Sequence, residues 1–166
     1  MEDADPVIDT LRGRIKNIRR LAVVGVGDEL LPADRLGMSL ARAIEQRQIP
    51  GIRVFLAGTV PESITGPLRR FQPEHVLFLD AAEMGERPGT IAVIGPDRIQ
   101  ASLVSTHVLP LSVVMDYVEQ EAGTGVTLLG IQPDSGNPEK DLSDEDRKYL
   151  HRNLRKLSDV LRDRSL

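Results

Sequence analysis

Apolar residues recur along the chain in two rhythms: stripes at helical spacing, and short unbroken runs bounded by glycine, proline or charge. Ile8, Leu11, Ile15 and Ile18 make one stripe with Arg and Lys opposite, which predicts an N-terminal helix within residues 1–20, packed on the outside of the domain. RLAVVGVG follows as a continuous apolar run from Leu21 ended by glycines, which is how a strand buried on both faces of a parallel sheet reads, and it is the best candidate for the central strand. Residues 34–48 carry Leu36, Leu40 and Ile44 at helical spacing until Pro50-Gly51 stops them, and a second strand is expected from Ile52 to Ala57. A short helix from Glu62 to Arg70, interrupted at Gly66-Pro67, precedes HVLFLDA, a third strand that ends at Leu79 and Asp80.

EMGERPG is turn chemistry, and TIAVIG stands so close behind it that no helical crossover fits, so the fourth strand is expected to be antiparallel. His107 to Glu121 returns to helix with Leu111, Met115 and Val118 on one face, and VTLLGIQ is the fifth strand. Ser143, with Asp146 three residues on, heads a C-terminal helix over residues 143–164 whose buried stripe is Leu150, Leu154, Leu157 and Leu161. Strands alternating with helices predict one α/β domain over residues 1–166. It is a three-layer α/β/α sandwich around a five-stranded mixed sheet with strand four antiparallel.

Composition narrows the functions this fold can host. With 21 basic against 25 acidic residues, three Phe, two Tyr and no Trp, the chain lacks both the positive field and the stacking surface of a nucleic-acid binder. The absence of Cys removes thiolate nucleophiles, zinc–thiolate sites and disulfides, so any metal here must be held by oxygen and nitrogen. No run reaches the roughly 20 apolar residues that span a bilayer, and the expected location is the cytoplasm. The apolar stripes are all accounted for as core, which predicts a monomer.

Folds of this class place ligands outside the carboxyl ends of their parallel strands. Three segments reach that edge: GVGDELLPAD after strand one, DAAEMG after strand three, and STHVLPL before the helix that follows strand four. Asp34 has a structural reading as the N-cap of the second helix. Asp80 ends an apolar strand, where a carboxylate without donors or a cation is costly. His107 sits behind Ser105 and Thr106, either of which could cap the helix and leave the imidazole exposed. Together the two acids and the imidazole form an O,O,N set suited to a borderline divalent ion such as nickel or zinc. Bound between carboxylates, such an ion reverses the repulsion that would otherwise raise a pKa. His75, at the head of strand three, and His151, in the terminal helix, read as surface residues, and Glu62 and Asp28 as loop or cap residues able to stand behind the site.

Two other motifs stand at these positions. GVGDEL contains G-x-G, but the third glycine of a dinucleotide fingerprint would fall at Leu30 and no acid ends strand two; Gly25 and Gly27 read as turn residues that keep the cleft open. Ser105, His107 and Asp80 could suggest a hydrolytic triad, yet no G-x-S-x-G elbow exists.

At these residues the sequence resembles the nickel-dependent hydrogenase maturation proteases, most closely those that process hydrogenases of the formate-hydrogenlyase type. VVGVGDELLPADRLG, GTVPES, LFLDAAEMGERPGTI, and STHVLPL followed by LLGIQPD match in order, covering a core from Leu21 to Asp134. The resemblance implies an aspartic-type endopeptidase that removes a C-terminal extension from the large-subunit precursor of a [NiFe] hydrogenase. Asp34, Asp80 and His107 would be both catalytic and metal-engaging, acting on nickel supplied by that precursor. The first loop departs from the family pattern. Asp34 has Ala33 where an acid is usual, and Pro32 and Arg35 replace flexible glycines, with Arg35 placed to pair with Asp34 and compete with metal. The alternative that these departures keep open is a non-cleaving checkpoint or chaperone for the immature subunit.

Overall fold

The structure is a computed structural model, and it describes residues 5–95 and 110–164. The chain runs α1 (Pro6–Ile15), β1 (Leu21–Val26), α2 (Leu36–Gln46), β2 (Ile52–Gly58), a 3₁₀ turn (Pro61–Ile64), α3 (Thr65–Phe71), β3 (His75–Ala81), β4 (Ile91–Ile94), α4 (Leu111–Ala122), β5 (Gly125–Ile131) and α5 (Asp144–Asp163). The strands form one five-stranded sheet in the order β2-β1-β3-β5-β4, parallel except for β4, which pairs antiparallel to β5 from Ile91↔Ile131 to Ile94↔Leu128. This is the mixed sheet the sequence predicts, with the antiparallel strand where it was expected.

Strand alternation divides the core in two. Leu21, Val23, Leu77, Leu79, Leu129 and Ile131 face α1, α2 and α5, while Ala22, Val24, Val26, Val76, Phe78 and Leu128 face α3 and α4. The helical stripes do what their spacing asks: Leu36, Leu40 and Ile44 of α2, and Leu154, Leu157 and Leu161 of α5, are buried against the first set. Ser143 Oγ accepts the Asp146 N–H at 3.1 Å, satisfying one free donor of the α5 N-terminus. The Asp146 carboxylate does not complete the box; it takes the Arg87 Nε–H at 3.1 Å instead.

Three details depart from expectation. The middle strand is β3, not β1. Both are apolar runs flanked by strands on each side, so hydrophobicity cannot rank them, and the order follows from the direction of the crossovers. The helix break comes before Thr65 rather than at Gly66-Pro67, because Pro67 falls in the first turn of α3, where its missing N–H costs no helical hydrogen bond. Gly25 is not a turn residue: it lies inside β1, where a Cβ would stand 2.7 Å from that of Ala41, and it lets α2 pack closely on the strand.

From β1 the chain crosses over α2 to β2 on one side, then returns over α3 to β3 on the other. The crevice between the carboxyl ends of β1 and β3 is therefore the switch point at which α/β sheets of this kind bind ligands.

Candidate active site

Asp34 and Asp80 flank that crevice. Asp80 is the sixth residue of β3, pairs in register with Gly130 of β5 and is 2% exposed. By alternation with Phe78 its side chain leaves the sheet on the face covered by α3 and α4. Asp34 reaches the same edge from the β1–α2 loop.

The position of Asp34 is set by two glycines. Gly27 has φ +134°, and a Cβ there would stand 2.0 Å from the Asp34 carbonyl oxygen, so no other residue lets the loop fold back over the end of β1. At Gly37, in the first turn of α2, a Cβ would lie 2.3 Å from the Leu79 carbonyl oxygen and 2.6 Å from that of Val26. The helix start thus rests on the carboxyl ends of β1 and β3 together, three residues after Asp34 and one residue before Asp80 in the respective segments. This close seating brings the backbone segments that carry Asp34 and Asp80 to the same edge of the sheet.

Asp34 is not the helix cap. The N-cap of α2 is Arg35, which makes no side-chain capping bond, whereas Asp34 Oδ2 accepts the Asp28 N–H at 2.8 Å. The carboxylate points back across its own loop toward the strand ends, and among the described residues its second oxygen has no hydrogen bond. Nor does Arg35 pair with Asp34: its guanidinium donates to Asp141, in the loop before α5. The competition with metal anticipated for Arg35 is diverted to that acid. Asp28 is a loop organiser, its Oδ1 accepting the Leu30 N–H at 2.9 Å.

His107 lies outside the described residues, as do Ser105 and Thr106. The described chain resumes at Pro110, and α4 runs from Leu111 to a C-terminal end only two residues short of Gly125, where β5 starts. A helix feeding a parallel strand in this way begins at the carboxyl edge, and α4 packs on the face toward which Asp80 projects. Among the described residues no three His, Cys, Asp or Glu side chains are grouped as a metal site. Glu62 stands in the 3₁₀ turn after β2, and its Oε2 is buried without a hydrogen-bond partner.

Gln132 was not singled out from sequence, although LGIQPD was noted. Immediately after β5 and 2% exposed, its Oε1 accepts the N–H groups of Met84 at 2.7 Å and Glu86 at 3.4 Å. Its Nε2 donates to Glu83 Oε2 at 3.1 Å and to the Pro133 carbonyl at 2.9 Å. Hydrogen bonds from Ser135, Gln132 and the Gly85 N–H hold the Glu83 carboxyl below its ordinary pKa. One buried amide thereby fixes the loop that leaves Asp80. A polar residue directly after a fully apolar strand was the available signal. His75, expected at the surface, is buried, while His151 is exposed as expected.

Known proteins share this fold. The family model HycI, described as hydrogenase maturation protease, matches residues 35–159, a span that contains Asp80 and His107 and begins one residue after Asp34. The hydrogenase 3 maturation protease of Escherichia coli (strain K12) is 34% identical over 110 residues, 66% of this chain and 70% of that protein. The crystal structure of a [NiFe] hydrogenase maturation protease HycI from Thermococcus kodakarensis KOD1 has a TM-score of 0.77 at 26% identity, covering 93% of this chain and 99% of that one. The hydrogenase maturating endopeptidase HybD from E. coli gives 0.67 at 25% identity over 87% and 93% of the two chains. No described helix is long and apolar enough to cross a membrane. With the family model spanning most of the sequence and the same sheet recurring in these structures, the chain belongs to the hydrogenase maturation protease family.

Proposed function

We propose that this protein is a cytoplasmic, monomeric endopeptidase that removes a C-terminal extension from the nickel-loaded large-subunit precursor of a [NiFe] hydrogenase. The observation that carries the reading is the seating of Asp34 and Asp80 on either side of the switch-point crevice, in a chain of this family. Their oxygens, with an imidazole nitrogen of His107, are donors of the type that a borderline divalent ion accepts. The nickel belongs to the precursor. Asp34, Asp80 and His107 would engage it there, so that binding free energy is available only once the metal is loaded. Hydrolysis would then split one peptide bond with one water, leaving a new carboxylate on the subunit and a free amine on the released peptide.

Cleavage is read by mass, with purified protein and precursor prepared with and without nickel. Loss of the C-terminal peptide is expected only from the nickel-loaded form. Asp80→Asn and His107→Ala are each expected to slow it by roughly 100-fold or more. Cleavage indifferent to nickel, or an unimpaired His107→Ala protein, overturns the assignment. Stable association with the precursor and no change of mass assigns the non-cleaving checkpoint role instead.

A further inference from the structure

Five large hydrophobic side chains are exposed among the described residues, and four of them, Leu30, Leu31, Val60 and Val113, stand at the carboxyl edge of the sheet. Leu30 and Leu31 belong to the β1–α2 loop, Val60 to the loop after β2 and Val113 to the first turn of α4. Tyr117 is the fifth, further along α4, where its hydroxyl accepts a hydrogen bond from Arg69 at 3.0 Å. The clustering is one-sided: apolar surface is left in water around the crevice that holds the two carboxylates.

The loop that displays the leucines is tied down. Asp28 Oδ1 accepts the Leu30 N–H, the Ala33 N–H donates to the Pro138 carbonyl at 3.1 Å, and the Leu31 carbonyl accepts the N–H groups of Asp34 at 3.0 Å and Arg35 at 2.9 Å. A slack loop would fold two adjacent leucines onto the nearest apolar surface. This one holds Leu30 88% and Leu31 46% exposed. The charges beside them are already matched, Glu29 with Arg42 at 2.7 Å and Arg35 with Asp141. The loop tip therefore offers apolar contact, with Glu29 and Arg35 in ion pairs and Asp28 turned onto the loop's own backbone. Exposed apolar anchors on a fixed frame, surrounded by satisfied polar groups, are the mark of a recognition surface.

Leu31 and Asp34 share one hydrogen-bonded turn, which keeps the exposed leucines within one short loop of the Asp34 carboxylate. We propose that Leu30 and Leu31, with Val60 and Val113 at the same edge of the sheet, form the docking rim for an uncharged, apolar stretch of the precursor polypeptide beside the bond that is cut. This rests on the function proposed above and adds the chemistry of the segment recognised.

The full-length protein and nickel-loaded precursor test it through the concentration dependence of peptide release. The doubly polar variant Leu30→Ser/Leu31→Ser is expected to raise KM by about 10-fold or more with kcat within about 2-fold of wild type, because apolar contact is lost while the carboxylates stay in place. Leu30→Met/Leu31→Met, which keeps apolar area, is expected to return KM to within about 2-fold of wild type. Both variants should unfold within a few degrees of wild type, since Leu30 is almost wholly exposed and Leu31 about half. An unchanged KM in the serine variant overturns the rim and leaves the protease assignment standing. A wild-type dimer that the serine variant dissociates, with KM unaltered, assigns the rim to a second copy of this chain and overturns it as a precursor site. Wild-type protein that neither binds nor cuts the precursor removes the functional reading and the rim together.

Discussion

The two edges of the sheet are built on opposite terms. At the amino edge, where the strands begin, polar side chains tie loops and strands together, although Thr124 Oγ1 and Arg164 Nε are buried without a hydrogen-bond partner among the described residues. His75 Nε2 lies 2.9 Å from Thr127 Oγ1, which also accepts from Arg14 at 3.3 Å. Glu74 takes the N–H groups of Arg19 and Arg20 at 3.1 and 2.8 Å, which holds its carboxyl below the ordinary range, the Arg20 bond contributing most. Arg164 closes the edge, donating to the carbonyls of Leu161, Arg19 and Pro50 at 2.6, 3.0 and 2.7 Å. Both edges use glycines for close backbone approach, Gly51 against Arg19 at the amino edge as Gly27 and Gly37 at the other, but the carboxyl edge also leaves leucines in water and collects carboxylates. One edge ties the elements together; the other is shaped by what it must present. Changes at the first should register in stability, and changes at the second in the proposed cleavage, except where a single residue serves both.

Gly37 is such a residue, and it gives the largest expected effect. Gly37→Ala drives a Cβ into two backbone carbonyl oxygens that belong to strands and cannot swing aside. The start of α2 must lift from β1 and β3, separating Asp34 from Asp80. We expect a loss of about 3 kcal/mol or more, with a fall in Tm of roughly 6–12 °C, and cleavage reduced beyond what the unfolded fraction explains. Thermal denaturation and the mass assay on the same sample check both halves. A variant of wild-type stability and activity would mean that the close approach of helix and strand ends does not set the site.

The amino edge is probed by pH. His75 is pushed down to about 4 from an ordinary 6.5, first by burial and then by the positive charge of Arg14. A histidine whose folded pKa lies below its unfolded value binds its proton more readily in the unfolded chain. Its neutral form therefore supports the fold above about pH 6.5, and that support is lost as pH falls toward 4. From pH 7.5 to pH 5 the loss attributable to His75 is about 2 kcal/mol. Urea midpoints of wild type and His75→Gln across that interval isolate it: the wild-type curve should fall more steeply by that amount. Parallel curves would show that the imidazole at this edge is not held neutral by its surroundings.

Much of this contrast was legible in the residues. Continuous apolar runs are a direct consequence of burial on both faces, so β1, β3 and β5 could be read from them, and the short spacing before β4 dictated its reversal. That Asp34 and Asp80 lie at the carboxyl edge could be read from topology and chain position. What escaped depends on partners distant in sequence. His75 reads as the start of a strand, and only the approach of Arg14 and Thr127 from other elements makes it a buried neutral group. Gln132 looks like loop chemistry until its amide is seen to bind the segment after Asp80. Gly37 is an ordinary helical glycine in the sequence, because what forbids a side chain there is a carbonyl more than forty residues away.

Arg35 belongs to the same class and supplies the smallest and sharpest test. Its neighbour in the chain is Asp34, and adjacency suggested an ion pair between them; the structure gives the guanidinium to Asp141, from the loop that precedes α5. The pair is half in solvent, so removing it should alter stability by less than about 0.5 kcal/mol. Its consequence for the crevice is expected to be larger. Asp141→Ala frees a cation one residue from a carboxylate that the proposed reaction needs unoccupied, and cleavage should slow several-fold with Tm unchanged. Arg35→Ala alone should leave cleavage near wild type, and the double variant Arg35→Ala/Asp141→Ala should recover what Asp141→Ala lost. That non-additive pattern, read as a double-mutant cycle on kcat/KM, separates diversion of Arg35 from any direct role of Asp141. If the double variant is as slow as Asp141→Ala, Asp141 serves the carboxyl edge in its own right, and the contrast between a paired, structural edge and an open, presenting one must be redrawn to include it.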